Sequence, residues 1–446
     1  MIDDRRFWRI LLLTVLAALA LRVGYVMLAK RHEPALGDQI YYVAQANTLA
    51  RGDGFTDPRD GSQTAEHPPL TALALTPTAW VAEQLSPGGD HLLAMRLTMT
   101  IFGAVVVLVI GLLGRSVAGT RAGLLAAGIA AVYPNLWIND GLVMSETLAT
   151  LAVALAILLT YRFIRTPRAS TAVWVGVAIG LAMLARAELG LLLPLMVLPV
   201  ALMLKALSLK RQLVLFLVTC LVSLAVVSPW LAANLTRFND PVLFSTNDGL
   251  TLCGANLHNT WYGEGTGVWA LDCASYPVQG DRSQVSNALR SDGLHFIKDH
   301  LSRLPVVLAV REARVWSLYA PGFMANYNVN EGRDVEASWA GFFAFWLLVP
   351  CAVVGAVMLR RRRVPITPLV SQFVIVAVTA AAIYGLVRFR IPAEVSLVVL
   401  AAVAVDRWLG GRPEPAESDA HATTDSPTDS PTDTTGGRPA AVEAPA

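Results

Sequence analysis

The sequence predicts an all-α polytopic membrane protein of about ten transmembrane helices, with a small extracytoplasmic subdomain. Three observations carry this expectation. The 446 residues are 54% hydrophobic and only 15% charged, where a soluble globular chain holds about 25% charge; mean hydropathy is +0.52. Apolar runs of ~20 residues recur, the length a helix needs to cross the hydrocarbon core. Basic residues are sorted to alternate ends of those runs. Net charge is only +2, so the balance suggests no nucleic-acid partner.

Arg5, Arg6 and Arg9 precede the first run, Ile10–Leu28. Ala18-Leu19-Ala20 resembles a signal-peptide cleavage site. The apolar run continues past it, however, and the basic flank suits an N-terminus left in the cytoplasm, so a retained anchor is expected. Arg22 inside this run reads either as a snorkelling side chain or as a partner for a lipid phosphate. Further spans are expected over Leu92–Leu113, Ala122–Ile138, Leu142–Phe163, Ala172–Ala185, Leu189–Leu204, Leu213–Leu231, Trp339–Leu359, Leu369–Val387 and Ile391–Val405.

One set of span ends collects Arg5, Arg6, Arg9, Arg115, Arg121, Arg162, Arg165, Arg168, Lys205, Lys210, Arg211 and Arg360 through Arg363. The short turns on the other side hold only Arg186, Arg388 and Arg390. By the positive-inside rule both termini are expected in the cytoplasm of a multi-pass plasma-membrane protein. Asp38, the Asn139–Glu146 turn and the long segment 234–338 then share the outer side.

Four regions follow. Residues 1–233 form an N-terminal transmembrane module whose first outer loop covers 30–91. Residues 234–338 are too many for a plain connector; their polar and aromatic content suggests a small subdomain with a helix over Val285–His300. Residues 339–408 form the C-terminal transmembrane helices. Residues 409–446, with SPTDSPTD at Ser426–Asp433, are too polar to bury a core and are expected to be a disordered cytoplasmic tail. Cys220 and Cys351 lie in apolar runs as packing residues. Cys253 and Cys273 share the outer segment and can be bridged in an oxidising compartment.

Chemistry-bearing residues concentrate in Gly37–Leu70, directly after the first span. Asp38 stands before a short amphipathic helical pattern; it reads either as an N-cap or as a general base. Glu66-His67-Pro68-Pro69 is held extended by its two prolines, either to aim Glu66 and His67 or to lead rigidly into a helix starting at Leu70. Asp140 and Glu146 bracket an outer turn. Glu146 begins a span, where an ionisable group is a functional candidate, or else it favours the helix N-terminus electrostatically. Arg388 and Arg390 sit in a tight outer turn and suit bidentate phosphate binding, or contact lipid headgroups. Arg186 and Glu188 read as an ion pair at another outer turn. No GxGxxG or Walker-type phosphate loop occurs, so a nucleotide donor has no recognisable cradle.

Taken together, GDQIYYVAQANTLARGDGF, EHPPL, NDGLVMSE and the Arg388-Phe389-Arg390-Ile391-Pro392 turn resemble the GT-C superfamily of membrane glycosyltransferases. The nearest likeness is to the group holding protein O-mannosyltransferases and bacterial aminoarabinose-type lipid A transferases, over roughly residues 1–408. The resemblance implies a polyprenyl-phosphate sugar donor, inversion at the anomeric carbon, and a glycan, glycolipid or protein acceptor on the outer face. Asp38 would be the general base, with Glu146 a second catalytic acidic residue. His67, Arg388 and Arg390 would bind the donor phosphate. A divalent metal, if used, would be held by Glu66 and His258. Two departures stand out: Gln39 follows Asp38 where a second acid is common, and His67 stands where Lys often precedes Pro-Pro. The competing expectation is a lipid or lipid-linked-sugar transporter, which predicts ionisable groups at mid-span and paired broken helices. A non-catalytic scaffold would leave the shared sidedness of Asp38, Glu66, Glu146 and Arg388 unexplained.

Overall fold

The computed structural model describes residues 3–276 and 279–410. Among them the only extended pairing is an isolated bridge between Thr56 and Gln63; the rest is helix and loop, as the apolar runs require. The tail expected over 409–446 lies, beyond Gly410, outside the described residues.

Helix α1 (Asp4–Tyr25) is started by Asp3, whose carboxylate accepts from the Arg6 N–H at 2.6 Å. Leu12, Leu13 and Leu16 are exposed while Phe7, Leu11 and Ala18 are buried, so one face suits lipid and the other packs on the bundle. Arg22 is fully buried and neither snorkels nor awaits a lipid. Its Nε lies 2.7 Å from Asp140 Oδ2, Nη1 donates to the Ala18 and Ala131 carbonyls, and Nη2 donates to the Ala130 carbonyl. A buried guanidinium needs this kind of complete pairing.

Helix α2 (Asp38–Arg51) lies outside the spans, bounded by Gly37 and Gly52 in left-handed conformations at φ +55° and +88°. It packs on α3 (Leu70–Leu85), which Pro69 leads into. The first long membrane helix after these is α4 (Leu92–Ala118). Helix α5 (Thr120–Val132) bends by 58° into α6 (Pro134–Asp140), where Pro134 at the first position cannot continue the preceding hydrogen-bond ladder. Helix α7 (Glu146–Arg165) follows.

Helix α8 (Ala169–Ala185) packs against α10 (Leu209–Arg237) through small residues. Thr219 and Ser223 hydroxyls donate to the Ala172 and Gly176 carbonyls, and a Cβ on Gly176 would come within 2.7 Å of the Thr219 carbonyl. Such small-residue contact is how membrane helices approach closely. Between α8 and α10 the run Ala187–Met203 is broken: a 3-10 turn, a π-type turn and then the short α9 (Leu198–Met203). Pro194 and Pro199 account for the interruption.

The segment between α10 and the last three helices holds shorter helices: α11 (Asp248–Gly254), α12 (His258–Trp261), α13 (Arg282–Asp299), α14 (Leu304–Val315) and α15 (Pro321–Tyr327). Cys253 and Cys273 are bridged. Asp281 and Gln284 form a reciprocal capping box that starts α13, the helix anticipated over Val285–His300. The chain returns through α16 (Val335–Arg361), α17 (Thr367–Ala382) and α18 (Ile391–Trp408). Nearly every residue of α18 is buried, against α16, α5 and α7, which makes it the central post of the bundle.

Each of the ten expected spans holds helix, but Leu142–Phe163 is helical only from Glu146 and Leu369–Val387 only to Ala382 before the Val387–Arg390 turn. Among the described residues five helices are long and apolar enough to cross a membrane, six if the bent α5–α6 pair counts as one. Ala169–Ala185, Ala187–Met203 and Thr367–Ala382 are shorter.

Candidate active site

Arg388 is the node of the site. The 3-10 turn Val387–Arg390 between α17 and α18 drops its side chain into a buried position, 7% exposed. A guanidinium presents donors in a fixed planar fork, and all three of its nitrogens are engaged. Nη2 lies 2.7 Å from Asp38 Oδ2, Nε 2.7 Å from Glu146 Oε1, and Nη1 2.7 Å from Glu331 Oε1. These carboxylates come from the first turn of α2, the first turn of α7 and the loop before α16.

Local backbone sets them there. Asp38 is the first residue of α2 and does not cap it; Gly37 holds the cap position, with no side-chain bond. A Cβ at Gly37 would meet the Asn330 carbonyl at 3.2 Å, so glycine lets the Asn328–Gly332 turn dock on the start of α2. The Gln39 amide donates to the Glu331 carbonyl at 3.2 Å. That contact ties Asp38 and Glu331 to opposite sides of Arg388. Glu146 likewise leaves its own helix end for Arg388 and for Arg186, whose Nη1 is 3.3 Å away. Arg186 also pairs with Glu188 at 2.6 Å and lies over the Phe389 ring.

His67 completes the group. Its Nε2 is 3.5 Å from Asp38 Oδ1, an ion-pair distance rather than a hydrogen bond, and its ring stacks on Tyr42 with Tyr41 edge-on. Burial opposes ionisation of Asp38, but Arg388 and then His67 overcome it and hold its carboxyl well below the usual range. Burial likewise opposes the imidazolium of His67, while Asp38 and Glu66 raise its pKa above the ordinary value. A cavity of about 280 Å³ opens among Asp38, Tyr42, His67, Arg186, Glu331 and Arg388. It therefore offers a carboxylate beside several fixed cations, in a buried setting where such charges act strongly.

Four of the residues singled out from sequence, Asp38, His67, Glu146 and Arg388, thus meet. Arg390 does not join them and its expected phosphate role is corrected. It is fully buried, pairs with Glu394 at 2.6 Å, donates to the Val315 carbonyl and Ser317 hydroxyl, and lies 3.6 Å from the Phe345 ring centroid. In a 3-10 turn, residues two apart point to different sides, so one arginine faces the cavity and the other the core. Glu66 stands next to His67 but borders a second cavity of about 760 Å³. His258 is exposed on α12, stacked on Tyr262, and lines neither cavity. Glu66 and His258 thus do not meet at one cavity as the metal pair that was expected, and among the described residues no three His, Cys, Asp or Glu side chains are grouped to hold a metal ion. Glu331 and Arg333 were not singled out from sequence. Their signal was a carboxylate and an arginine flanking Gly332 just outside an apolar run, the same context as Asp38 and Glu146.

A family model described as dolichyl-phosphate-mannose-protein mannosyltransferase matches residues 66–232. No curated protein matches the chain in sequence. The archaeal oligosaccharyltransferase AglB from Archaeoglobus fulgidus, solved with an inhibitory peptide and a dolichol-phosphate, is similar in structure. The TM-score is 0.54 at 17% identity, over 94% of this chain and 53% of that one. The apo form of the Archaeoglobus fulgidus oligosaccharyltransferase gives 0.54 at 15% identity, over 94% and 54%. ArnT from Cupriavidus metallidurans bound to undecaprenyl phosphate gives 0.43 at 16% identity, over 89% and 77%. The chain spans about half the length of the oligosaccharyltransferase it matches. It is a multi-pass membrane protein that shares the fold of the archaeal oligosaccharyltransferase, and the family match over residues 66–232 agrees with the resemblance read from its motifs.

Proposed function

We propose that the protein is an integral-membrane glycosyltransferase that moves a sugar from a polyprenyl-phosphate donor to a hydroxyl-bearing envelope glycan, glycolipid or protein. The observation that carries this reading is the convergence of Asp38, His67 and Arg388, from three separate segments, on one cavity, with Glu146 buried behind Arg388. The donor approaches by lateral diffusion with its chain in the bilayer. Its phosphate meets Arg388, Arg186 and the imidazolium of His67. Asp38 takes the proton from the acceptor hydroxyl as the oxygen attacks the anomeric carbon. The bond from that carbon to the phosphate oxygen breaks with its electron pair leaving on phosphate, where the cations stabilise it. Attack opposite the leaving group inverts the anomeric centre. In the resting site Arg388 keeps Asp38 ionised but weakly basic; a phosphate that shares Arg388 makes Asp38 the stronger base where it is needed. Glu146 and Glu331 hold Arg388 in place meanwhile.

The charge asymmetry of the sequence and the Cys253–Cys273 bridge, which suits an oxidising compartment, support placing this cavity on the extracytoplasmic face. The test is transfer by the purified full chain in liposomes, offered a panel of radiolabelled polyprenyl-phosphate sugars and membrane-lipid extracts. A product with inverted anomeric configuration is expected. Donor movement between leaflets without any transfer would replace this reading with a transporter.

A further inference from the structure

The opposite end of the bundle carries a further cavity. Helix α7 begins at Glu146 in the active site and ends at Arg165. At ~1.5 Å per residue, Arg162 lies about 24 Å further along the axis, close to the ~30 Å hydrocarbon thickness. The cavity there, about 400 Å³, lies among the ends of α1, α4 and α7, lined by Trp8, Arg115, Ser116, Leu158, Arg162 and Arg165 with two further leucines. Arg165 donates to the Ser116 hydroxyl at 2.6 Å and to its carbonyl. Arg115 packs over the Phe7 ring and pairs with Asp4 at 2.7 Å. Arg162 is exposed at the rim. Three guanidiniums thus gather beside a leucine floor, and Trp8, 49% exposed, has the amphipathic ring that favours the headgroup level.

We propose that this cavity binds one anionic phospholipid of the leaflet opposite the active site, its phosphate on the arginines and its acyl chain on the leucine floor. A free phosphate would use the charge but not the apolar wall. The proposal concerns a face remote from the proposed chemistry and stands or falls independently of it.

The test is native mass spectrometry of the full chain, delipidated and then offered phosphatidylglycerol or phosphatidylcholine, with helical content and thermal unfolding as fold controls. Wild type should retain one phosphatidylglycerol in preference to phosphatidylcholine. Arg162→Ala should weaken retention about five-fold. Leu158→Trp fills the floor with every charge intact and should also lose the lipid. Equal retention of the two lipids would overturn the proposal. So would Leu158→Trp binding like wild type, which would reduce the site to diffuse surface charge, or displacement of the lipid by inorganic phosphate at equal concentration.

Discussion

Replacing Arg388 with glutamine removes the one cation that three carboxylates share. In the native site Asp38, Glu146 and Glu331 each lie 2.7 Å from a different nitrogen of that guanidinium, and Glu146 and Arg388 are almost completely buried. Breaking a buried pair by deleting one partner costs roughly 3–5 kcal/mol, because the remaining charge is left uncompensated. Arg186 is 3.3 Å and Arg333 4.0 Å from Glu146; both remain, so the lower end of that range is expected. The loss should depend on pH in a definite direction. The Asp38 carboxyl is held below its ordinary value, so its pairing stabilises the wild type fully above the unfolded pKa of ~3.9 and is lost only as pH falls through the lower folded value. Without Arg388, burial acts on Asp38 with less opposition and its pKa rises, so protonation relieves the variant as pH falls. The stability gap between wild type and Arg388→Gln, followed by thermal unfolding in detergent, should therefore be wide at pH 8 and narrower at pH 5. A gap that does not change with pH, or no gap, would refute the three-carboxylate node.

Four other outcomes are expected. His67 has a raised pKa because Asp38 and Glu66 outweigh burial, so donor binding should weaken as pH rises through that value in the wild type; in His67→Lys it should stay flat until well above neutrality, as read by titration of a polyprenyl phosphate. Arg390→Ala should lower thermal stability by removing the buried pair with Glu394, yet leave donor affinity in the surviving folded protein within about two-fold, since Arg390 does not line the cavity; a selective loss of donor binding would restore its phosphate role. Gly176→Val should destabilise by about 1–3 kcal/mol through overpacking, because even a Cβ there meets the Thr219 carbonyl at 2.7 Å; unchanged unfolding would contradict the α8–α10 contact. Cys253→Ser closes no loop across a separation of 20 residues, which should cost ~3 kcal/mol and appear as faster proteolysis of the outer segment.

Much of the fold was legible because membrane helices are read from composition and length alone. Each expected apolar run holds helix, but length did not reveal that α7 starts only at Glu146, that α17 stops at Ala382, that Pro194 and Pro199 break Ala187–Met203 or that Tyr133–Pro134 bends α5 into α6. Within the site, Asp38, His67, Glu146 and Arg388 were visible as charged groups at the same ends of apolar runs. Glu331 had the same context, but the outer segment was read as a block through Ser338, which hid it. Arg388 and Arg390 looked equivalent; the i,i+4 spacing of Arg390 and Glu394 was the available sign that one belonged to an internal pair. Arg22 had no such sign, since Asp140 lies 118 residues away and only the packing of α1 against α5 and α6 brings them together.

The most direct test of the central claim is Asp38→Asn in the reconstituted transfer assay, with donor binding measured on the same preparation. Asparagine keeps the shape and an oxygen for Arg388 but cannot take a proton. The account predicts that the variant folds and binds donor while transfer falls by about 10²–10⁴, the usual contribution of a general base. Transfer at the wild-type rate by a folded, donor-bound Asp38→Asn protein would contradict it.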